Sequence, residues 1–287
     1  MTLRSLLFVP GDRPDRMAKA LASEADAIIL DLEDAVAPDR KAAARAMSAA
    51  FLRGEGQRQE QGQGTQIFVR VNPLDSGLTA DDLAAIAPAA PSGYLLPKAQ
   101  GGGCAARLAA MLTAVGDATG RILPIASETP AAVFGLGSYA GSTDRLVGLS
   151  WGAEDLPAAI GATSAREADG RYTPVYEVVR TLALMGAHAA GVLAIDTVFP
   201  AFRDLDGLAA YAARARRDGF TGMLAIHPAQ VPVINAAFTP SAEEVAHARA
   251  VVDLFAANPG AGALALNGQM LDAPHLKAAQ RVLDRVK

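Results

Sequence analysis

Ile122-Leu-Pro-Ile-Ala-Ser-Glu-Thr-Pro130 and, after an Ala- and Gly-rich connector, Leu146-Val-Gly-Leu-Ser-Trp-Gly-Ala-Glu-Asp155 decide how this chain is read. Each begins as a short apolar run bounded by Gly, Pro or charge, the mark of a buried strand. Each then places an acidic residue just beyond the run. If the two strands lie parallel and adjacent, Glu128 and Asp155 converge at one end of a sheet, where both can face a hard divalent cation.

The same pattern extends in both directions. Runs rich in Val, Ile and Leu recur at Leu3–Val9, Ala27–Leu32, Gln66–Val71, Gly93–Pro97, Ile122–Ala126, Leu146–Ser150, Val192–Ile195 and Gly222–Ile226. Ala-rich stretches of helical character separate them, including Pro14–Ser23, Pro38–Arg53 and the amphipathic Thr173–Ala190. Such βα alternation predicts a parallel sheet, and eight strands are the number that closes a TIM (β/α)8 barrel. The stretch from Gly54 to Gly64, rich in Gly and Gln, offers nothing apolar to bury and is expected to be a flexible surface loop.

More chain follows the eighth strand than one closing helix needs. Ser241-Ala-Glu-Glu244 has the form of a capping box opening a helix to about Ala257, and a second helix is expected over Pro274–Val286. Between them, Asn267-Gly268 is a turn signal between two short extended segments. The expected organisation is a barrel over 1–235 and a helix–hairpin–helix extension over 236–287, serving as a lid or an oligomer contact.

Composition narrows the function. A chain of 287 residues with 51% hydrophobic content can bury one large core. Its 26 basic and 30 acidic residues leave a net charge of −4, which creates no field for nucleic acid or anionic lipid. The single cysteine, Cys104, forms no internal disulfide and fits a reducing cytoplasm. No segment approaches the length of a membrane span, so a cytoplasmic protein is expected.

Barrel enzymes take their catalytic residues from the C-terminal strand ends. Here those ends supply Asp31, Glu33 and Asp34, then Arg70 and Asn72, Lys98, Glu128, Glu154 and Asp155, Asp196, and His227. Carboxylates without His or Cys favour Mg2+ over zinc. The planar fork of Arg70 suits a carboxylate or an oxyanion. Each residue also has a plainer reading: Glu128 and Asp155 as helix caps, Arg70 as an ion-pair partner of Asp31 or Glu33, Lys98 facing solvent, His227 as a turn residue, and Trp151 as a cover for the barrel mouth.

The strings Arg4–Pro10, Ile29–Val36, Phe68–Pro73, Leu96–Lys98, Glu128–Pro130, Gly152–Asp155, Ile226–Pro228 and Leu266–Asp272, taken in order, resemble the citrate lyase beta subunit-like family of the HpcH/HpaI aldolase/citrate lyase superfamily. The resemblance covers nearly the whole chain. It implies a TIM barrel that cleaves or forms a carbon–carbon bond in a 3-hydroxyacyl-CoA thioester such as malyl-CoA or citramalyl-CoA, with a 2-oxo acid and an acyl-CoA as partners. Carried over, it makes Glu128 and Asp155 the Mg2+ ligands, with Glu128 also touching substrate, and Arg70 the substrate-binding arginine. Asp272 becomes an acid or base presented to a neighbouring subunit of a homotrimer or hexamer. Glu33 is expected to orient Arg70, and backbone N–H groups at Gly152 and Ala153, opening the helix after the sixth strand, to receive the 2-oxo acid carboxylate.

One departure stands out: Ala131-Ala132-Val133 follows Pro130, where the family commonly has a glycine two positions on. Three other readings remain open: a subunit of a citrate lyase complex working on an acyl-carrier-protein thioester, an aldolase on free 2-oxo acids, and a non-catalytic ligand-binding descendant. Arg13 and Lys19, near the first βα loop, are candidates for holding CoA.

Overall fold

The computed structural model describes residues 3–60 and 65–286. Eight parallel strands, β1 (Ser5–Pro10), β2 (Ala27–Asp31), β3 (Gln66–Arg70), β4 (Gly93–Leu96), β5 (Arg121–Pro124), β6 (Gly148–Ser150), β7 (Leu193–Asp196) and β8 (Gly222–Ala225), follow the order β5-β4-β3-β2-β1-β8-β7-β6. The two ends of that order meet through parallel bridges Ile122↔Leu146 and Ile125↔Ser150. The result is a nearly closed barrel. Every strand falls within two residues of its expected position at each end.

Helices follow the strands: α1 (Pro14–Leu21), α2 (Lys41–Glu60), α3 (Thr79–Ile86), α4 (Gly102–Ala114), α5 (Pro130–Gly135), α6 (Asp155–Ile160), α7 (Pro174–Ala189), α8 (Leu205–Asp218) and α9 (Gln230–Phe238). The expected loop from Gly54 is corrected in part, because α2 continues to Glu60. Gln, Arg and Glu are good helix formers and can carry an established helix onward. The rest of that stretch lies outside the described residues.

Period-two alternation assigns the strand residues to two layers. Leu6, Ala27, Ile29, Phe68, Leu95, Leu123, Ile125, Ile195 and Leu224 form one buried cluster. Intervening residues such as Ile28, Leu30, Ile67, Val69 and Met223 are also fully buried. The tight centre explains Gly93: a Cβ there would stand 2.5 Å from the Phe68 ring.

The described chain divides into two compact units, Leu3–Asn235 and the segment from Ala236 onward. In the second, α10 (Ala242–Ala257) opens with the expected capping box, in which Glu244 N–H donates to Ser241 Oγ at 3.1 Å and Ser241 N–H to Glu244 Oε2 at 2.6 Å. β9 (Ala263–Leu266) and β10 (Gln269–Asp272) pair antiparallel about Asn267-Gly268, and α11 (Ala273–Asp284) follows. Ala248, Val251, Leu271 and Ala279 form this unit's own core. Among the described residues, no helix is long and apolar enough to cross a membrane.

Candidate active site

The register between β2 and β3 builds the first part of the site. Ile29 lies opposite Phe68 in the buried cluster, and one pleat further on Asp31 lies opposite Arg70. The two side chains therefore meet where the barrel interior opens. Arg70 donates from Nε to Asp31 Oδ1 at 2.7 Å and from Nη2 to Oδ2 at 2.6 Å, a bidentate pair. Burial opposes the charge on Arg70, but the hydrogen bonds and proximity of Asp31 outweigh it and hold the guanidinium's pKa above its ordinary value.

Asp31 is held in turn by the backbone beyond β2, accepting from Glu33 N–H at 2.8 Å and Ala35 N–H at 2.9 Å. Lys41 and Asn72 anchor the same turn through the Leu32 carbonyl. Glu33 was expected to orient Arg70. Its Oε2 lies 2.9 Å from Arg70 Nη1 but makes no hydrogen bond. Glu33 is thus an ion-pair partner of Arg70, Asp31 adds the bidentate hydrogen bonds, and Glu33 Oε1 accepts from the Lys98 ammonium. Burial pushes the Glu33 carboxyl above its usual range despite Arg70 and Lys98 nearby.

Lys98, in the left-handed backbone region at φ +51°, turns the chain after β4 so that its N–H donates to Glu128 Oε2. Its ammonium also stands 3.7 Å from Asp34 and 3.8 Å from Asp155. It faces the site rather than open solvent. Burial acts against its charge, but Glu33 more than compensates and raises its pKa.

Glu128 is 3% exposed, whereas the Asp155 side chain is 39% exposed. Burial, then the charges of Asp155 and Glu33, push the Glu128 carboxyl up to about 8 against the Lys98 N–H bond. Neither carboxylate hydrogen-bonds as a helix cap. Thr129 caps α5 by accepting from Ala132 N–H, and Glu154 occupies the N-cap of α6 without a capping bond. Gly152 makes room for Glu128, because a Cβ there would collide with Glu128 Cγ. The expectation that Gly152 and Ala153 open a helix is corrected: α6 begins at Asp155, and Gly152 N–H is already donated to Ser127 Oγ at 3.3 Å.

These groups surround a cavity of about 460 Å³ whose wall includes Asp31, Arg70, Glu128, Gly152, Ala153 and Asp155. Phe8, Ile125, Val198 and Leu224 make part of it apolar, and Arg16 lines it unforeseen. The family of HpcH/HpaI aldolase/citrate lyase matches residues 4–228.

The chain belongs to that family.

It is thus an enzyme, a lyase of the citrate lyase beta-like kind. It is 40% identical over 280 residues to a citrate lyase subunit beta-like protein of Mycobacterium tuberculosis, covering 97% of this chain and 94% of that one. A (3S)-malyl-CoA thioesterase of Cereibacter sphaeroides is 34% identical over 99% of this chain and 94% of its own length. The crystal structure of CitE from M. tuberculosis with magnesium, acetoacetate and coenzyme A superposes with a TM-score of 0.78, at 36% identity, covering 99% and 98% of the two chains.

In this lyase several rim candidates have other duties. His227 accepts from Ala229 N–H at 3.2 Å and stacks on Phe202, as a turn residue does. Asp196 is fully buried and bonded within the protein. Asn72 is buried with Asp82. Ala132, at the position of the missing glycine, is buried in α5, where its methyl group is accommodated. Asp272, in the second unit, caps α11, and His275 Nδ1 lies 2.6 Å from its Oδ1.

Sequence reading undervalued Asp31 and Arg16. Asp31 carries a usable signal, since it shares the inward parity of Ala27 and Ile29. Arg16 carries none.

Proposed function

We propose that this chain is a Mg2+-dependent carbon–carbon lyase that cleaves, or in reverse forms, a 3-hydroxyacyl-CoA thioester such as malyl-CoA or citramalyl-CoA. The observation that carries the reading is the gathering of Glu128, Asp155 and a bidentately held Arg70 around one cavity. CitE of M. tuberculosis, its structural neighbour, holds magnesium, acetoacetate and coenzyme A, which supports the same ligand classes here.

The donor set fits Mg2+. Among the described residues no three His, Cys, Asp or Glu form a metal cluster, but Mg2+ commonly takes only one or two carboxylates and completes its shell with water and substrate. Glu128 and Asp155 are those two. Carboxylates outnumber Arg70 and Lys98 at this rim, and the Glu128 pKa is raised first by burial and then by Asp155 and Glu33. When bound, Mg2+ supplies Lewis-acid polarisation of substrate oxygens.

The remaining work falls to the chain. In cleavage a base takes the 3-hydroxyl proton, the C2–C3 bond breaks, and its electron pair passes to the thioester as an enolate while the 2-oxo acid forms. Arg70, with two of its five N–H groups committed to Asp31 and Glu33 beside Nη1, offers an N–H that neither acid holds to the oxygen on which charge develops. Asp272 of a neighbouring copy in a homotrimer or hexamer returns a proton to the enolate carbon, or removes it from the acyl thioester in condensation. Resemblance of Leu266–Asp272 to the family supports that role. An adjoining cavity of about 490 Å³, lined by Arg13, Arg16, Lys19 and His227, lies beside Phe8 and Ile226 and suits the phosphates of CoA.

Purified protein with Mg2+ and a panel of malyl-, citramalyl- and citryl-CoA is expected to release a 2-oxo acid and an acyl-CoA. Free CoA thiol from the malyl thioester instead would identify a thioesterase. Activity only on acyl-carrier-protein thioesters would assign the chain to a citrate lyase complex, and cleavage of free hydroxy-oxo acids without CoA would make it an aldolase.

A pH dependence follows from Glu128. Its folded pKa of about 8 lies above the ordinary carboxyl value, so its contribution to stability is complete at low pH and is lost as pH rises to about 8. Mg2+ binds the ionised form and competes with the proton. The rise in melting temperature produced by a fixed Mg2+ concentration is therefore expected to be larger at pH 8 than at pH 6. An equal shift at both would contradict the assignment of Glu128.

A further inference from the structure

Trp151, the chain's single tryptophan, is fully buried yet contributes to the cavity wall immediately before Gly152. Its Nε1–H donates to Asp196 Oδ1 at 2.6 Å. Asp196 ends β7 with no exposed surface, and the same oxygen accepts from Thr197 N–H at 2.9 Å and Tyr211 OH at 3.1 Å. Oδ2 accepts from Arg180 Nε at 3.1 Å and Nη2 at 2.8 Å, and Arg180 Nη1 reaches Asp218 at 2.7 Å. Tyr172 meets the Trp151 ring edge-on at a centroid distance of 5.1 Å.

A buried ion pair of this kind is a costly way to fill space, since apolar side chains of equal volume stabilise as well or better. What the network gives is a fixed position for the indole. From that ring the chain runs through Gly152, where an added Cβ would collide with Glu128 Cγ, and reaches Asp155 three residues on. Trp151 thus anchors the segment that carries Asp155 and the Gly152 surface against which Glu128 packs.

We infer that Asp196, held by Arg180 and acting through Trp151, is a positioning residue that sets the separation of Glu128 and Asp155 for the metal. The inference rests on the Mg2+ reading above. Asp196 touches neither substrate nor metal; its duty resembles that of outer-shell partners whose loss costs about 10–100-fold in metal affinity.

Isothermal titration of the full chain with MgCl2 at pH 8, without substrate, tests it. Trp151→Phe keeps an aromatic ring and removes the N–H donor together with the volume of the fused second ring; Asp196→Asn keeps the shape and removes the charge. Each is expected to weaken Mg2+ binding about tenfold or more relative to wild type, with unchanged circular dichroism, and Asp196→Asn is expected to shift the Trp151 emission. Glu177→Gln, which weakens the Arg214–Glu177 pair on the same helices but leaves Arg180 its bonds to Asp196 and Asp218, serves as the control for mere loosening and is expected to leave Mg2+ affinity unchanged. A folded Trp151→Phe variant binding Mg2+ within about twofold of wild type overturns the inference, whether or not Asp196→Asn folds. Absence of Mg2+ binding in wild type instead overturns the metal reading, and the inference with it.

Discussion

Glu128→Gln is expected to lower turnover by about 10³-fold or more and to remove the Mg2+-induced rise in melting temperature, while the metal-free variant at pH 8 melts no lower than wild type. The two halves of this result have one cause. Glu128 sits almost wholly out of water beside Asp155 and Glu33, so its ionised form is disfavoured and its pKa is pushed up to about 8. A neutral amide of the same shape removes that cost, and its oxygen can still accept the Lys98 N–H. It also removes the charge proposed to hold Mg2+, and loss of several kcal/mol of charge stabilisation corresponds to about 10³ in rate. Thermal denaturation with and without Mg2+, alongside steady-state kinetics, checks both. A variant that retains wild-type turnover would show that Glu128 holds no metal in catalysis.

Arg70→Lys carries the second large effect: a fall of about 10²–10³-fold in kcat, and with it in kcat/KM, the range found in kcat for loss of one preorganised donor to a developing oxyanion. Positive charge is kept in this variant, so what it removes is the fork. Lysine is a single flexible ammonium and cannot satisfy both oxygens of Asp31 while presenting further N–H groups to the cavity. Asp31 then stands buried with one strong partner fewer, and the melting temperature is expected to drop as well. Asp31→Asn is expected to reproduce much of the kinetic loss, because it leaves Arg70 charged but poorly held. Wild-type kcat/KM in Arg70→Lys would mean that charge alone suffices and would discard the bidentate geometry as the source of catalysis.

Particular residues show how much was legible beforehand. The capping box at Ser241 and the Asn267-Gly268 turn act over a few bonds, and both formed where their local chemistry required. Strand boundaries were legible because buried runs end where Gly, Pro or charge interrupts them. The stretch after Gly54 misled for the opposite reason: polarity forbids burial but does not forbid a helix, so α2 continued to Glu60. Glu33 and Asp31 stood two residues apart with equal chemical claims on Arg70. Both engage it, and only the β2–β3 register, which sets Asp31 directly opposite Arg70, gave Asp31 the bidentate hydrogen bonds and Glu33 the ion pair at Nη1.

Sequence by itself determined the parallel eight-stranded barrel, the helix–hairpin–helix at its C-terminal end, and the carboxylates and arginine at the strand ends. Periodicity, turn residues and composition are local properties and survive in a one-dimensional record. Tertiary structure alone decided that Asp31 grips Arg70 by two hydrogen bonds, that Lys98 bridges toward Asp155, that Gly152 must yield space to Glu128, and that Asp196 braces Trp151 from behind the wall. Those contacts join residues 24 to 57 positions apart and depend on strand register and burial. Their energies arise from desolvation and direction, which exist only once the barrel has formed.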